Sequence, residues 1–274
     1  QMREAFSEKG VSCTLFPVDR IEKDRLSFLP YEYDLLGFAF PVYAMNAPEY
    51  FLEFLKKMPP AGNKNAFIFK TCGSPSLNGG TNHYVKELLI KKGVRVVSEH
   101  FFVMPDNIFS QNPDAMIKAL LIKAISRSRE VVKLLTSGRG RIYQESGFFQ
   151  KFCLFFSRLL GWGGRLYGKD LKVLDSCIHC LKCVENCPTG NIQFQNGKFS
   201  FGWNCQLCLR CVEECPAAAI KPRVMRFMGY GISNQLQDIL ENPDIPLDFF
   251  EGKTSARYRE FKAYINQNEL GDHQ

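Results

Sequence analysis

The first 135 residues alternate short apolar runs with amphipathic stretches. VSCTLFPV (11–18), YDLLGFAFPV (33–42), NAFIFKTCG (65–73) and VRVVSEHFFV (94–103) have the length and the β-branched or aromatic content of buried strands. APEYFLEFLKKM (47–58), NHYVKELLIKKG (82–93) and PDAMIKALLIKAISRSREVVKLL (113–135) repeat their apolar residues at helical spacing. Strands and helices in this order predict an α/β doubly wound parallel sheet, whose ligands bind beyond the carboxyl ends of the strands. The opening QMREAFSEKG reads as a helix with Met2, Ala5 and Phe6 on its apolar side.

The pattern then changes. SGRGR (137–141) reads as a hinge, and ESGFFQKFCLFFSRLLGWGGRLYGKDLK follows. Phe148, Phe149, Phe152, Phe155, Phe156, Leu159 and Leu160 crowd a helix whose charges there are Lys151 and Arg158. Such a helix needs cover, and packing between two domains is preferred over a membrane surface or a partner. The expected organisation is a sheet domain over 1–135, a linker with this aromatic helix over 136–170, a cysteine-rich domain over 171–221 and a tail over 222–274. The tail has helical patterns at ISNQLQDILEN and SARYREFKAYINQN and is expected to wrap the cysteine-rich domain.

The chemistry lies in a repeat. CIHCLKCVENCPTGNI (177–192) returns 28 residues later as CQLCLRCVEECPAAAI (205–220), with nine of sixteen positions identical. Each copy is C-x2-C-x2-C-x3-C-P, the run that in two-cluster ferredoxins holds iron–sulfur cubes. In that arrangement the fourth cysteine of each copy crosses to the other cluster. One cluster should therefore take Cys177, Cys180, Cys183 and Cys215, and the other Cys205, Cys208, Cys211 and Cys187. A zinc ribbon also uses C-x2-C pairs, but four ligands would leave the third cysteine of each triplet unexplained. IQFQNGKFSF between the copies alternates around Asn196-Gly197, a type I' hairpin signal. Ile192 and Ile220 fall at equivalent core positions beside the two sites. His179 and His83 have no evident acid–base partner.

Composition changes this picture little. Eight of the eleven cysteines fall within 39 residues, a spacing that speaks for metal ligation in a reducing compartment and not for disulfides. The formal charge of +7 counts those cysteines as neutral. Eight thiolates and two oxidised cubes change it by roughly −4, leaving a mildly basic protein. With no recognisable nucleic-acid motif, no nucleic-acid partner is expected. From Lys133 to Lys172 eight basic residues stand against two acidic ones, a stretch suited either to an acidic redox partner or to a solvated face. The apolar runs are too short to span a bilayer, so a cytoplasmic protein is expected.

Three loops sit where the sheet's carboxyl ends should be. PVYAMNAP (41–48) offers Tyr43 as an aromatic platform, TCGSPSLNGG (71–80) offers close backbone amides, and VMPDNIF (103–109) offers Asn107. Singly, each is ordinary turn chemistry. Together with the repeat, F-A-F-P-V-Y and T-C-G-S-P make the chain resemble the EFR-type ferredoxin–flavodoxin fusion proteins of anaerobic bacteria and archaea. The resemblance implies a flavodoxin-like domain followed by a small α+β two-cluster ferredoxin domain. It implies FMN, with Pro41, Tyr43, Ala44, Thr71, Cys72, Gly73 and Asn107 at flavin-loop positions.

Flavodoxin-like proteins begin with a strand and an S-x-T-G-x-T loop that holds the FMN phosphate at a helix N-terminus. Here residue 1 is already in the helix that should follow it. The expectation is a flavodoxin-like domain that is N-terminally incomplete by about fifteen residues, counted from a strand plus its loop. Such a chain is expected to bind FMN poorly or not at all. The leading function is an electron carrier that passes single electrons through two [4Fe-4S] clusters, to or from FMN and a redox protein donor or acceptor. The alternative is an oxidoreductase, a flavin/iron–sulfur reductase acting on a bound small molecule; no catalytic residue is identified for it. A third reading is a redox sensor or interaction module using Cys72 or the clusters as the switch.

Overall fold

The computed structural model describes residues 1–21, 32–76, 81–108, 112–142, 147–228 and 235–267, with the backbone alone for 81 and 147–154. Three strands, β1 (Leu35–Pro41), β2 (Asn65–Cys72) and β3 (Arg95–Val103), form a parallel sheet in the order β1-β2-β3. Phe38 lies opposite Ile68, and Pro41 opposite Thr71, in the first pair. Their carboxyl ends share one edge of the sheet.

Helices cover both faces, which is why β2 carries the continuous apolar run Ala66–Phe69 instead of alternating. On one face α2 (Glu49–Lys57) and α3 (Thr81–Lys91) close over Phe38, Phe40, Ala66 and Ile68 with Phe51, Leu55, Val85 and Leu89. Leu55, Ile68, Val85 and Leu89 are fully buried, each stabilising by roughly 1.5–3 kcal/mol. On the other face α1 (Met2–Glu8) and α4 (Asp114–Thr136) bury Ala5, Phe6 and Val132 against Phe67 and Phe69. The expected helices and three of the four expected strands are present, and Ala5 and Phe6 are buried as the opening pattern required.

The fourth expected strand is not. Residues 11–17 pair with no strand, and Val18 begins a short 3-10 turn ending at Arg20. An extended run becomes a strand only when a neighbour takes up its N–H and C=O groups. This run has no such neighbour among the described residues, and Leu15 is 62% exposed. The hinge reading of SGRGR is also corrected. Its end is strapped to β3, where Glu99 N–H donates to the Arg141 carbonyl at 2.7 Å and Arg141 N–H to Ser98 Oγ at 3.1 Å.

The aromatic linker is a long helix, α5 (Gly147–Asp170), that leads directly into β4 (Leu171–Val173). One face is used: Ser157 Oγ accepts from Asn46 Nδ2 at 3.3 Å, and Tyr167 is buried with Leu171 and Leu209. The expectation that the helix is covered fails over its described half, where Phe155, Leu159, Trp162 and Leu166 are exposed. Phe148, Phe149 and Phe152 lie outside the residues whose side chains are described.

The cysteine-rich portion adds β5 (Ile192–Gln195) and β6 (Lys198–Phe201), paired antiparallel, and β7 (Ile220–Pro222), which pairs with β4. Asn196 and Gly197 both have positive φ (49° and 75°), the type I' turn that the sequence signalled. The tail helices α8 (Leu236–Glu241) and α9 (Ala256–Asn266) pack on α4, not on the cysteine-rich portion. Phe250, Phe261 and Tyr264 bury against Val103, Met116 and Leu120, and the Tyr264 hydroxyl accepts from Val103 N–H at 3.0 Å. The tail's aromatic residues complete a core that α4 leaves open at the end of β3, which explains the corrected placement.

Candidate metal centre

Each copy of the repeat folds the same way. After the first cysteine the chain makes two left-handed residues, His179 and Leu181 in one copy and Leu207 and Leu209 in the other, with φ between 52° and 58°. A one-turn helix follows, α6 (Lys182–Glu185) or α7 (Arg210–Glu213). Past the fourth cysteine, Gly190 and Ala218 repeat a third positive φ, 60° and 45°. A left-handed non-glycine residue costs on the order of 1 kcal/mol, so four or more of them in two short loops mark a site that enforces its shape.

What the shape does is turn backbone amides toward sulfur. His179 N–H donates to Cys177 Sγ at 3.4 Å and Leu207 N–H to Cys205 Sγ at 3.4 Å. Asn191 N–H donates to Cys187 Sγ at 3.2 Å and Ala219 N–H to Cys215 Sγ at 3.3 Å. The four bonds form two pairs related by the repeat. Amides aimed at sulfur stabilise thiolate ligands and tune a cluster's potential.

The cysteines line two cavities in two sets of four. One is walled by Cys187, Cys205, Cys208 and Cys211, the other by Cys177, Cys180, Cys183 and Cys215. Ile192 and Ile220, 3% and 2% exposed, wall one cavity each. Among the described residues no three of His, Cys, Asp or Glu are placed to hold a single metal ion. Four thiols around a cavity fit a cluster.

Residues 169–216 match a 4Fe-4S dicluster domain. The match supports iron–sulfur chemistry at these cysteines. The chain is also 28% identical over 89 residues to an uncharacterized protein of Methanocaldococcus jannaschii, a match covering 32% of this chain and 56% of that protein. No solved structure matches.

The protein's own groups anticipate a buried cluster in the second set. Burial pushes the Cys205 thiol up to about 11, with Leu207 N–H opposing and the neighbouring Cys208 and Cys187 adding. Burial also raises Cys208 and, further, Cys211. Neutral thiols are what such a pocket prefers until iron supplies the compensating positive charge. Tyr167, on α5, is 1% exposed and walls the same cavity, and its hydroxyl has no protein hydrogen-bond partner. A buried hydroxyl without a partner among the described residues, on a residue that lines a cavity with four thiols, suits a group rich in sulfur acceptors. Sequence pattern placed Tyr167 only in an aromatic helix; nothing marked its role.

The loops proposed from the sequence for a flavin do gather at one end of the sheet. Pro41 and Thr71 are register partners, and Val42 N–H donates to the Thr71 carbonyl at 2.8 Å. Tyr43 bridges to Asn46 through a tight turn in which Ala44 and Met45 are left-handed, at 47° and 60°. Cys72 is buried, its thiol 3.2 Å from the Ser74 carbonyl, and burial pushes it up to about 11. Gly73 lies against Asp106, a contact that leaves no room for a larger residue without a shift of a few tenths of an ångström.

Two of these side chains, however, face the cysteines. The Asn107 amide donates to Glu213 Oε1 of α7. Burial raises the Tyr43 hydroxyl far above the usual phenol range, with the Cys208 charge next in weight. Around them, Glu49 N–H donates to Gln206 Oε1 at 3.0 Å and Arg210 pairs with Asp19 at 2.5 Å. The strand ends therefore pack against the loop of the second cysteine set. Sequence reasoning missed the Gln206, Arg210 and Asp19 contacts, because polar side chains bridging segments more than 150 residues apart leave no local signal.

Proposed function

We propose that this chain is an iron–sulfur electron-transfer protein that relays single electrons through two [4Fe-4S] clusters. The first is held by Cys177, Cys180, Cys183 and Cys215, the second by Cys205, Cys208, Cys211 and Cys187. The observation that carries the reading is the sorting of eight cysteines into two crossed sets around two cavities, with amides turned to sulfur in both. The dicluster-domain match supports it independently. When bound, the clusters supply one-electron chemistry; the protein supplies ligands, amide dipoles and a partly dry surround.

A finer proposal is that an FMN at the carboxyl ends of a flavodoxin-like sheet exchanges electrons with the clusters, and that a redox protein is the external donor or acceptor. Its support is position: the strand ends lie against the second cysteine loop, and ligands of parallel α/β sheets bind at such ends. Thr71 and Cys72 end β2, their carbonyls accepting from Val42 and Met104 N–H, and Gly73 follows them at that edge. The positions it would use are Pro41, Tyr43, Ala44, Thr71, Cys72, Gly73 and Asn107, where the Asn107 amide already donates to Glu213.

Anaerobic reconstitution tests the cluster reading. About eight irons with broad cluster absorbance are expected; about two zincs and no iron would overturn it. FMN that co-elutes with the holoprotein on gel filtration supports the finer proposal over the expectation of poor binding, and FMN that elutes free at the small-molecule volume counts against it.

A further inference from the structure

The two cysteine loops share a backbone but not an environment. In the first copy Ile178, His179, Cys180 and Lys182 are all exposed, Ile178 by 65%. Their counterparts Gln206, Leu207, Cys208 and Arg210 are each at least partly buried, and Leu209 is 3% exposed. Local sequence does not cause the difference, since the φ angles, the short helices and the amide–sulfur bonds repeat. The cause is the α/β portion, which covers the second copy through Glu49, Asp19 and Asn107 but touches the first copy through Arg20, at Asn186 Oδ1 2.8 Å away, and leaves Ile178, His179, Cys180 and Lys182 open.

We propose that the first cluster is the port through which the molecule exchanges electrons with an external one-electron redox protein, docking over Ile178 and Cys180, while the second cluster serves the interior. This rests on the two-cluster reading. Electron transfer falls steeply with distance, so a partner uses the cluster whose ligand reaches the surface. Cys180 is an exposed ligand of the first set, and the apolar Ile178 beside it gives a partner something to bury. With a reduced cluster held by Cys177, Cys180, Cys183 and Cys215, one electron would pass to the partner's one-electron acceptor, with no bond formed and no proton moved, and the second set would supply the replacement electron.

The experiment uses dithionite-reduced holoprotein mixed with ferric cytochrome c, followed by stopped flow at the haem. Ile178→Arg should slow haem reduction by about tenfold, as charge does when placed inside a docking patch. Leu247→Arg adds the same charge at a 61% exposed site on the tail and should change the rate less than about twofold. Equal slowing by both, or by neither, overturns the port. Should Ile178→Arg lose iron, the wild-type holoprotein decides: an impermeant dysprosium chelate should relax the EPR signal that Cys180→Ser alters. Relaxation of the signal that Cys208→Ser alters, or of both alike, overturns the inference. Absence of cluster signals in wild type would instead overturn the two-cluster reading itself.

Discussion

The backbone N–H of Glu49 donates to Gln206 Oε1 at 3.0 Å, joining the first turn of α2 to the loop between Cys205 and Cys208. Arg210 extends the junction, reaching Asp19 at 2.5 Å and the Asn186 carbonyl at 3.2 Å. The pair is partly exposed, so Arg210→Ala should cost only about 1 kcal/mol of stability. Its effect should instead be local. Hydrogen exchange in the holoprotein should accelerate at 205–213 and stay unchanged at 177–185; uniform acceleration would mean the contacts do not hold the two portions together.

Crossed ligation makes a sharper prediction. Cys187 follows the first triplet in sequence but walls the cavity of the second. Cys187→Ala should therefore perturb the cluster of Cys205, Cys208 and Cys211 and spare that of Cys177, Cys180 and Cys183, with iron falling from about eight toward about four. Cys215→Ala should do the reverse. EPR of each variant distinguishes the two residual clusters, and identical residual spectra would contradict the crossing.

Gly190 and Ala218 occupy equivalent left-handed positions, and only one of them is a glycine. Gly190→Ala should destabilise by roughly 1–2 kcal/mol, although the space around it is open, because the cost is in the backbone. Ala218→Gly should stabilise, by up to about 1 kcal/mol, as strain is relieved against a more flexible unfolded chain. Opposite signs in denaturant titrations of the holoproteins are the expected result.

At Gly168 the requirement is closeness. A Cβ there would lie 2.2 Å from the Cβ of Cys205, so α5 and the second cysteine loop must separate if any larger residue is placed at 168. Gly168→Ala should lose the second cluster preferentially, read as iron content and EPR. Tyr167 beside it carries a buried hydroxyl with no partner among the described residues. Tyr167→Phe should keep both clusters and shift the potential of one to more negative values, since a hydrogen bond to sulfur favours the reduced, more negative core. A titration with both potentials unchanged would mean the hydroxyl does not reach the cluster.

These sites show why some features were legible in the sequence and others were not. The Asn196-Gly197 turn and the strands β1 to β3 follow from local spacing and period. They appeared where pattern put them. Residues 11–17 were misread because a β pattern specifies a strand only where a partner supplies hydrogen bonds. The α5 helix was read correctly as apolar but wrongly as covered; amphipathic pattern states a need and not its fulfilment. The tail divides: Met225 and Met228 pack on the cysteine-rich core as expected, while Phe250, Phe261 and Tyr264 fit an opening at the end of β3 that three-dimensional packing creates. For the same reason Tyr167 and Arg210 had no signature of their own.

Cys72 gives the pH dependence its sign. Its thiol ordinarily titrates at 9.0, and burial between β2 and the tail core pushes it up to about 11, against the weaker opposing pull of Ser74, Lys70 and Arg127. The folded state thus prefers the protonated thiol. That preference stabilises fully below pH 9, where the unfolded chain is protonated too, and is lost as pH rises from 9 through 11. The contribution is on the order of 2 kcal/mol. Other groups titrate in this window, so the measurement is a difference: urea unfolding of wild type and Cys72→Ala at pH 8, 9, 10 and 11. Wild type should lose stability more steeply than the variant above pH 9, and native Cys72 should alkylate slowly with iodoacetamide at pH 8. Parallel pH profiles, or rapid alkylation, would show Cys72 to be an accessible thiol and return it to consideration as a redox switch.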